Sequence, residues 1–183
     1  MSYSEKLKSL LDTYQRERRK LVSAEAFDVL VQAFPAVLVA QADGFTDTSE
    51  VQRLEEIIAF LCKIKGIPMQ VMEWTAELRY LAADADYWRG QFLDTLKALL
   101  KENPPLYHQQ AEFIYAVAVA SSGDVVRDLM LRLQRRDLLP HEKIERVSEK
   151  EFAEIERLIQ ELDFASVPEA LSYLRNLLTQ ANA

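Results

Sequence analysis

Apolar residues recur at steps of three and four along almost the whole chain, and no sustained two-residue alternation interrupts them. That spacing gathers side chains on one face of a helix, whereas a half-buried strand needs a period of two. Only four glycines and six prolines break up 183 residues, of which 49% are apolar. The chain is therefore poor in turns and reads as all-α, a single helical domain over residues 1–183. A domain of this length buries roughly 70% of the surface its unfolded chain exposes, so folding requires neither disulfides nor a structural metal.

The pattern resolves into about eight or nine helices. The first covers residues 3–20, with Ser2 and Glu5 at capping-box spacing, Leu7, Leu10, Leu11 and Tyr14 on one face, and Arg16, Arg18, Arg19 and Lys20 at its end, where the macrodipole favours cations. The second, residues 24–42, carries Phe27, Leu30, Val31, Phe34 and Leu38 inward and is apolar nearly all round from Ala33 to Ala40, as suits the centre of a bundle. Pro35 predicts a kink within it. Val51, Leu54, Ile58 and Leu61 mark a third helix, and Val71, Trp74, Leu78 and Leu81 a fourth, with Gly66 and Pro68 in the break. A fifth follows over residues 85–101, packs Trp88, Phe92, Leu96 and Leu99, and stops at Asn103-Pro104-Pro105. Trp74, Tyr80, Tyr87 and Trp88 fall at helical spacing and read as core aromatics. Ser166-x-Pro168-Glu169 opens a last amphipathic helix, residues 167–180, through Leu171, Leu174 and Leu178.

The second half echoes the first. Residues 113–123 parallel residues 34–44, an apolar run of eight ending at Gly123 as the other ends at Gly44. Ser148-Glu149-Lys150-Glu151-Phe152 then parallels Asp47-Thr48-Ser49-Glu50-Val51, and Phe152, Ile155, Leu158, Ile159 and Leu162 repeat the steps of Val51, Leu54, Ile57, Ile58 and Leu61. The bundle is thus expected to be built from two similar helix-loop-helix units. An extra segment at 125–146 carries Leu129, Leu131, Leu133 and the basic trio Arg132, Arg135 and Arg136, a candidate docking surface for an acidic protein or a membrane.

Chemistry concentrates between the second and third helices, in Ala42-Asp43-Gly44-Phe45-Thr46-Asp47-Thr48-Ser49-Glu50. The turn after Gly44 reverses the chain, so Asp43, Asp47 and Glu50 are set to converge, and oxygen ligands so placed suit a hard cation. The same spacing serves as a helix cap, since Asp47-x-x-Glu50, like Ser148-x-x-Glu151, has the form of a capping box. The loop is not an EF-hand, because glycine follows the first Asp directly and no Glu stands at the twelfth position.

This helix-Ala-Asp-Gly-loop-Glu-helix element resembles the signature of the TerB-like tellurite-resistance family, and the resemblance extends over residues 24–164 through both units. It implies a helical stress-response module in which the two acidic loops lie close together, linked to metal binding and to assemblies at the bacterial membrane. A similar domain accompanies a membrane-anchored DnaJ-type co-chaperone. By position it implicates Asp43, Asp47 and Glu50, and in the second loop Glu151, with Asp124 and Glu149 as neighbours. The second loop departs from the pattern, with Ser121-Ser122-Gly123 where the family has Ala-Asp-Gly and a long insertion before Glu151.

Other functions find little to stand on. The balance of 22 basic against 29 acidic residues gives a net charge of −7, which argues against nucleic acid as a partner. Cys62 is the single cysteine, a pattern that suits a reducing compartment and reads as a small hydrophobe in its helix. His108 and His141 lie in no catalytic spacing, there is no Glu-x-x-His pair, and no glycine-rich phosphate loop exists. No apolar run is expected to reach the roughly 20 residues of a membrane span, and the first residues lack a signal-peptide layout. The expectation is a non-catalytic cytoplasmic module, with peripheral contact at the inner membrane, that binds a divalent cation, Ca²⁺ foremost, and acts through a protein partner.

Overall fold

The computed structural model describes residues 1–44, 48–69, 73–120 and 147–181. Their regular structure is eight α-helices and one short 3₁₀ turn, with no strand among the described residues. In chain order these are α1 Tyr3–Arg18, α2 Ala24–Ala42, α3 Thr48–Lys65, α4 Trp74–Ala83, α5 Ala85–Glu102, α6 Leu106–Ala120, α7 Glu149–Glu161 and α8 Pro168–Ala181, with the 3₁₀ turn Phe164–Ser166 between the last two.

The fold is arranged around α2. Every residue from Ala33 to Ala40 is buried, and the helix packs against α1, α3, α4, α5, α6 and α7. Among the described residues, α2 is the one helix long and apolar enough to cross a membrane, contrary to the sequence reading, but 78% of its apolar window is buried within the protein. The helix continues through Pro35, which has no N–H to give the preceding turn. In that turn Gln110 Nε2, from the buried face of α6, donates to the Gln32 carbonyl at 2.9 Å.

Around this axis most of the expected inner faces are buried: Leu54, Ile58 and Leu61 on α3, Trp74, Leu78 and Leu81 on α4, and Trp88, Phe92 and Leu96 on α5; Val51 and Leu99 are partly buried, and Val71 lies outside the described residues. Tyr14 stands among the rings of Phe27, Tyr80, Trp88 and Phe92, with centroids 5.0 to 6.3 Å away, and so joins α1, α2, α4 and α5. Trp74 and Trp88 are core residues, whereas Tyr87 is 48% exposed and donates its hydroxyl to Glu17.

Three details depart from the sequence reading. Helix α1 ends at Arg18 rather than at residue 20, because Arg19 takes a left-handed conformation with φ 53°; its Ser2–Glu5 capping box is formed. Phe152, expected on the inner face of α7, is 40% exposed, while Ile155, Leu158 and Ile159 are buried. Ser166 belongs to the 3₁₀ turn, where its hydroxyl donates to the Asp163 carbonyl at 2.7 Å, and Pro168 occupies the first position of α8.

Among the polar side chains that tie the helices together, three clusters centre on Asp28, Arg89 and Glu77. Asp28 of α2 accepts from Tyr3 and from Lys65, linking α1 and α3. Arg89 of α5, 6% exposed, reaches two acids of the α7 helix: Glu161 at 2.6 Å through hydrogen bonds and Glu154 at 2.7 Å as an ion pair without hydrogen-bond alignment. Glu77 of α4, fully buried, accepts from Tyr14, from Arg18 at 3.2 and 3.3 Å and from Lys20 at 2.9 Å. The basic end of α1 is thus not only a complement to the macrodipole, since two of its four cations neutralise a buried carboxylate.

Candidate functional site

The end of α2 meets the start of α7. Helix α2 stops at Asp43, and Gly44 follows with φ +91°, a conformation that a side chain makes costly, its N–H returning to the Gln41 carbonyl at 2.9 Å. The exposed Asp43 carboxylate accepts a hydrogen bond from the Ser148 hydroxyl at 2.5 Å. Ser148 is the N-cap of α7. Its oxygen accepts from the Glu151 amide at 3.2 Å, while the Glu151 carboxylate accepts from the Ser148 amide at 2.8 Å, completing the expected capping box. A carboxylate from one unit therefore sits at the helix N-terminus of the other, where unsatisfied amides and the macrodipole favour negative charge.

The two matched acids are both buried. Glu50, in the first turn of α3, is 2% exposed, and Glu151, in the first turn of α7, is fully buried. Both have interaction partners within the fold, as buried carboxylates require. Glu149, two positions before Glu151, is exposed. Asp47 and Asp124 lie outside the described residues, as do His141 and the basic trio Arg132, Arg135 and Arg136. Among the described residues no group of three His, Cys, Asp or Glu side chains is placed to hold a metal ion.

Buried acids were the features the sequence reading undervalued, and each carries a local signal. Glu77 stands on the same helical stripe as Trp74, Leu78 and Leu81; Glu50 on that of Leu54, Ile57 and Leu61; Glu151 on that of Ile155 and Leu158. A carboxylate in an apolar stripe is bound for the interior and needs a donor there. For Glu77, burial pushes the carboxyl upward, but the hydrogen bonds from Tyr14, Lys20 and Arg18 overcome it and hold the group below the ordinary value of 4.5. Cys62 is 1% exposed, and burial pushes its thiol up, the opposite of what a nucleophile needs. His108 is exposed, its ring 5.5 Å from that of Tyr173.

Comparison with family models, with curated proteins and with solved structures returns no match to this chain.

Proposed function

We propose that this chain is a non-catalytic, TerB-like helical module that binds a divalent cation, Ca²⁺ foremost, at the junction of its two units and relays that state to a protein partner. The observation that supports this is the exposed Asp43 carboxylate held by Ser148 at the α7 N-terminus, with the matched acids Glu50 and Glu151 in the first turns of α3 and α7. Asp43, Asp47 and Glu50 would hold the ion, and a hard cation takes such carboxylate oxygens as ligands. Ser148 is its competitor for Asp43. A cation that draws on the Asp43 carboxylate weakens the hydrogen bond joining the units, so occupancy is converted into a change at the N-terminus of α7.

The second reading rests on the same hydrogen bond. Asp43 then serves as an inter-unit cap, the module is metal-free, and docking to an acidic protein or a membrane surface falls to Arg132, Arg135 and Arg136. Isothermal titration of Ca²⁺, Mg²⁺, Mn²⁺ and Zn²⁺ into chelator-treated protein separates the two. The cation reading expects saturable binding in the range of about 0.1–1 mM, typical of weak oxygen sites, lost in Asp43→Asn and tightened in Ser148→Ala. No binding up to about ten times that range leaves the metal-free module.

A further inference from the structure

We propose that α3 carries a self-complementary face through which two copies of this chain associate. Phe60 and Ile64, one helical turn apart, are 50% and 59% exposed, although most large apolar side chains of the described residues are buried. The Phe60 ring rests edge-on against Phe113 of α6, 6.0 Å between centroids, which orients it while leaving half of it open to water. An apolar pair on consecutive turns of one helix is the form a helix-to-helix contact takes.

The charges around this pair select a second copy as the occupant. Glu56 and Lys63 lie on the same stripe, the acid before Phe60 and the base after it, both exposed. In an antiparallel pair of α3 helices related by a two-fold axis near residues 59 and 60, Glu56 faces Lys63 of the second copy, and Lys63 faces Glu56 of the second copy. Phe60 then lies over the small side chain of Ala59 of the second copy, and Ile64 over the methylene stem of the exposed Glu55 of the second copy. This is an isologous contact, in which one patch complements itself. Lys63 has no ion-pair partner among the described residues, and Glu56 has only the exposed pair with Arg53 at 2.8 Å, which is exchangeable. The neighbouring Lys65 is engaged by Asp28 and does not compete. A single helix pair lies at the low end of stable interface sizes, so the association is weak, with a dissociation constant on the order of 10–100 μM.

Sedimentation equilibrium of the full chain from about 1 to 500 μM tests this. The expected result is a concentration-dependent monomer–dimer equilibrium that Phe60→Glu abolishes. Lys63→Glu weakens it by roughly tenfold, because two attractions become two repulsions. Adding Glu56→Lys to Lys63→Glu restores it, and that rescue is a response a merely structural role would not give. All these positions are exposed, and unchanged helicity and melting temperature verify the fold of each variant. A monomer throughout the range overturns the proposal, as does a dimer indifferent to Phe60→Glu or a charge swap that fails to restore association.

Discussion

Replacing Glu77 with glutamine keeps the shape of the side chain and removes one negative charge from the interior. The glutamine carbonyl still accepts from Tyr14, so the buried hydroxyl keeps a partner, but its amide now faces Arg18 and Lys20. Buried hydrogen bonds to a charged group contribute about 1.5–3 kcal/mol each. The two cations are 27% and 37% exposed and can turn to water, so solvent screening reduces each contribution to about 1 kcal/mol. The expected loss is about 2–3 kcal/mol near neutral pH, or a fall in melting temperature of about 5–10 °C for a domain of this size. The pH dependence provides the sharper test. Because the folded carboxyl titrates below its ordinary value of 4.5, its stabilisation is fully present above that value and disappears as pH falls through the folded one. Urea unfolding followed by circular dichroism, from about pH 7 down to about pH 3, should show wild type and Glu77→Gln converging below about pH 4.5. A difference under about 0.5 kcal/mol at neutral pH, or one that does not shrink on acidification, would refute the account of Glu77 as the ionised anchor of α1.

The Arg89 cluster should respond asymmetrically. Arg89→Met strands two carboxylates, one of them largely buried, and should cost about 2–4 kcal/mol; Glu154→Gln should cost nothing or stabilise by up to about 1 kcal/mol at pH 7. The reason is that burial, incompletely offset by Arg89, raises the Glu154 carboxyl, so the ionised form opposes folding above its folded value and the protonated form does not. Thermal melts of both variants at two pH values check this, and equal losses would argue against it. Gly66→Ala should cost about 1 kcal/mol from backbone strain alone, since φ is +66° and open space surrounds the position; a denaturant midpoint equal to that of wild type would contradict this.

Helix placement was legible because it depends on local signals. The 3.6-residue period, the Ser2–Glu5 and Ser148–Glu151 boxes, Gly44 and Gly66 past helix ends and the Asn103-Pro104-Pro105 stop all act within a few residues of one another. Phe152 was misplaced because period alone does not tell where a helix leaves the core, and α7 presents its first turn to solvent on that side. The links between helices were out of reach for a different reason. Asp43 and Ser148 are 105 positions apart, and Tyr14 and Glu77 are 63 apart. No spacing rule connects such pairs, and it is the packing of α2 against α7 that brings the first pair together. Around the candidate site, the sequence supplied the Ser148–Glu151 capping box, but not the burial of Glu50 and Glu151.

The position of α2 has a consequence for how the chain reaches its fold. Its apolar surface is closed off by α1 together with α3 to α7, of which all but α1 follow it in the sequence, and α7 ends only at Glu161. During synthesis at roughly 5–20 residues per second, α2 therefore waits on the order of ten seconds before the last of its covering helices emerges. Over that interval an apolar helix stands open at the ribosome, so a protein truncated before α7 should be held by chaperones or aggregate rather than persist as a smaller bundle.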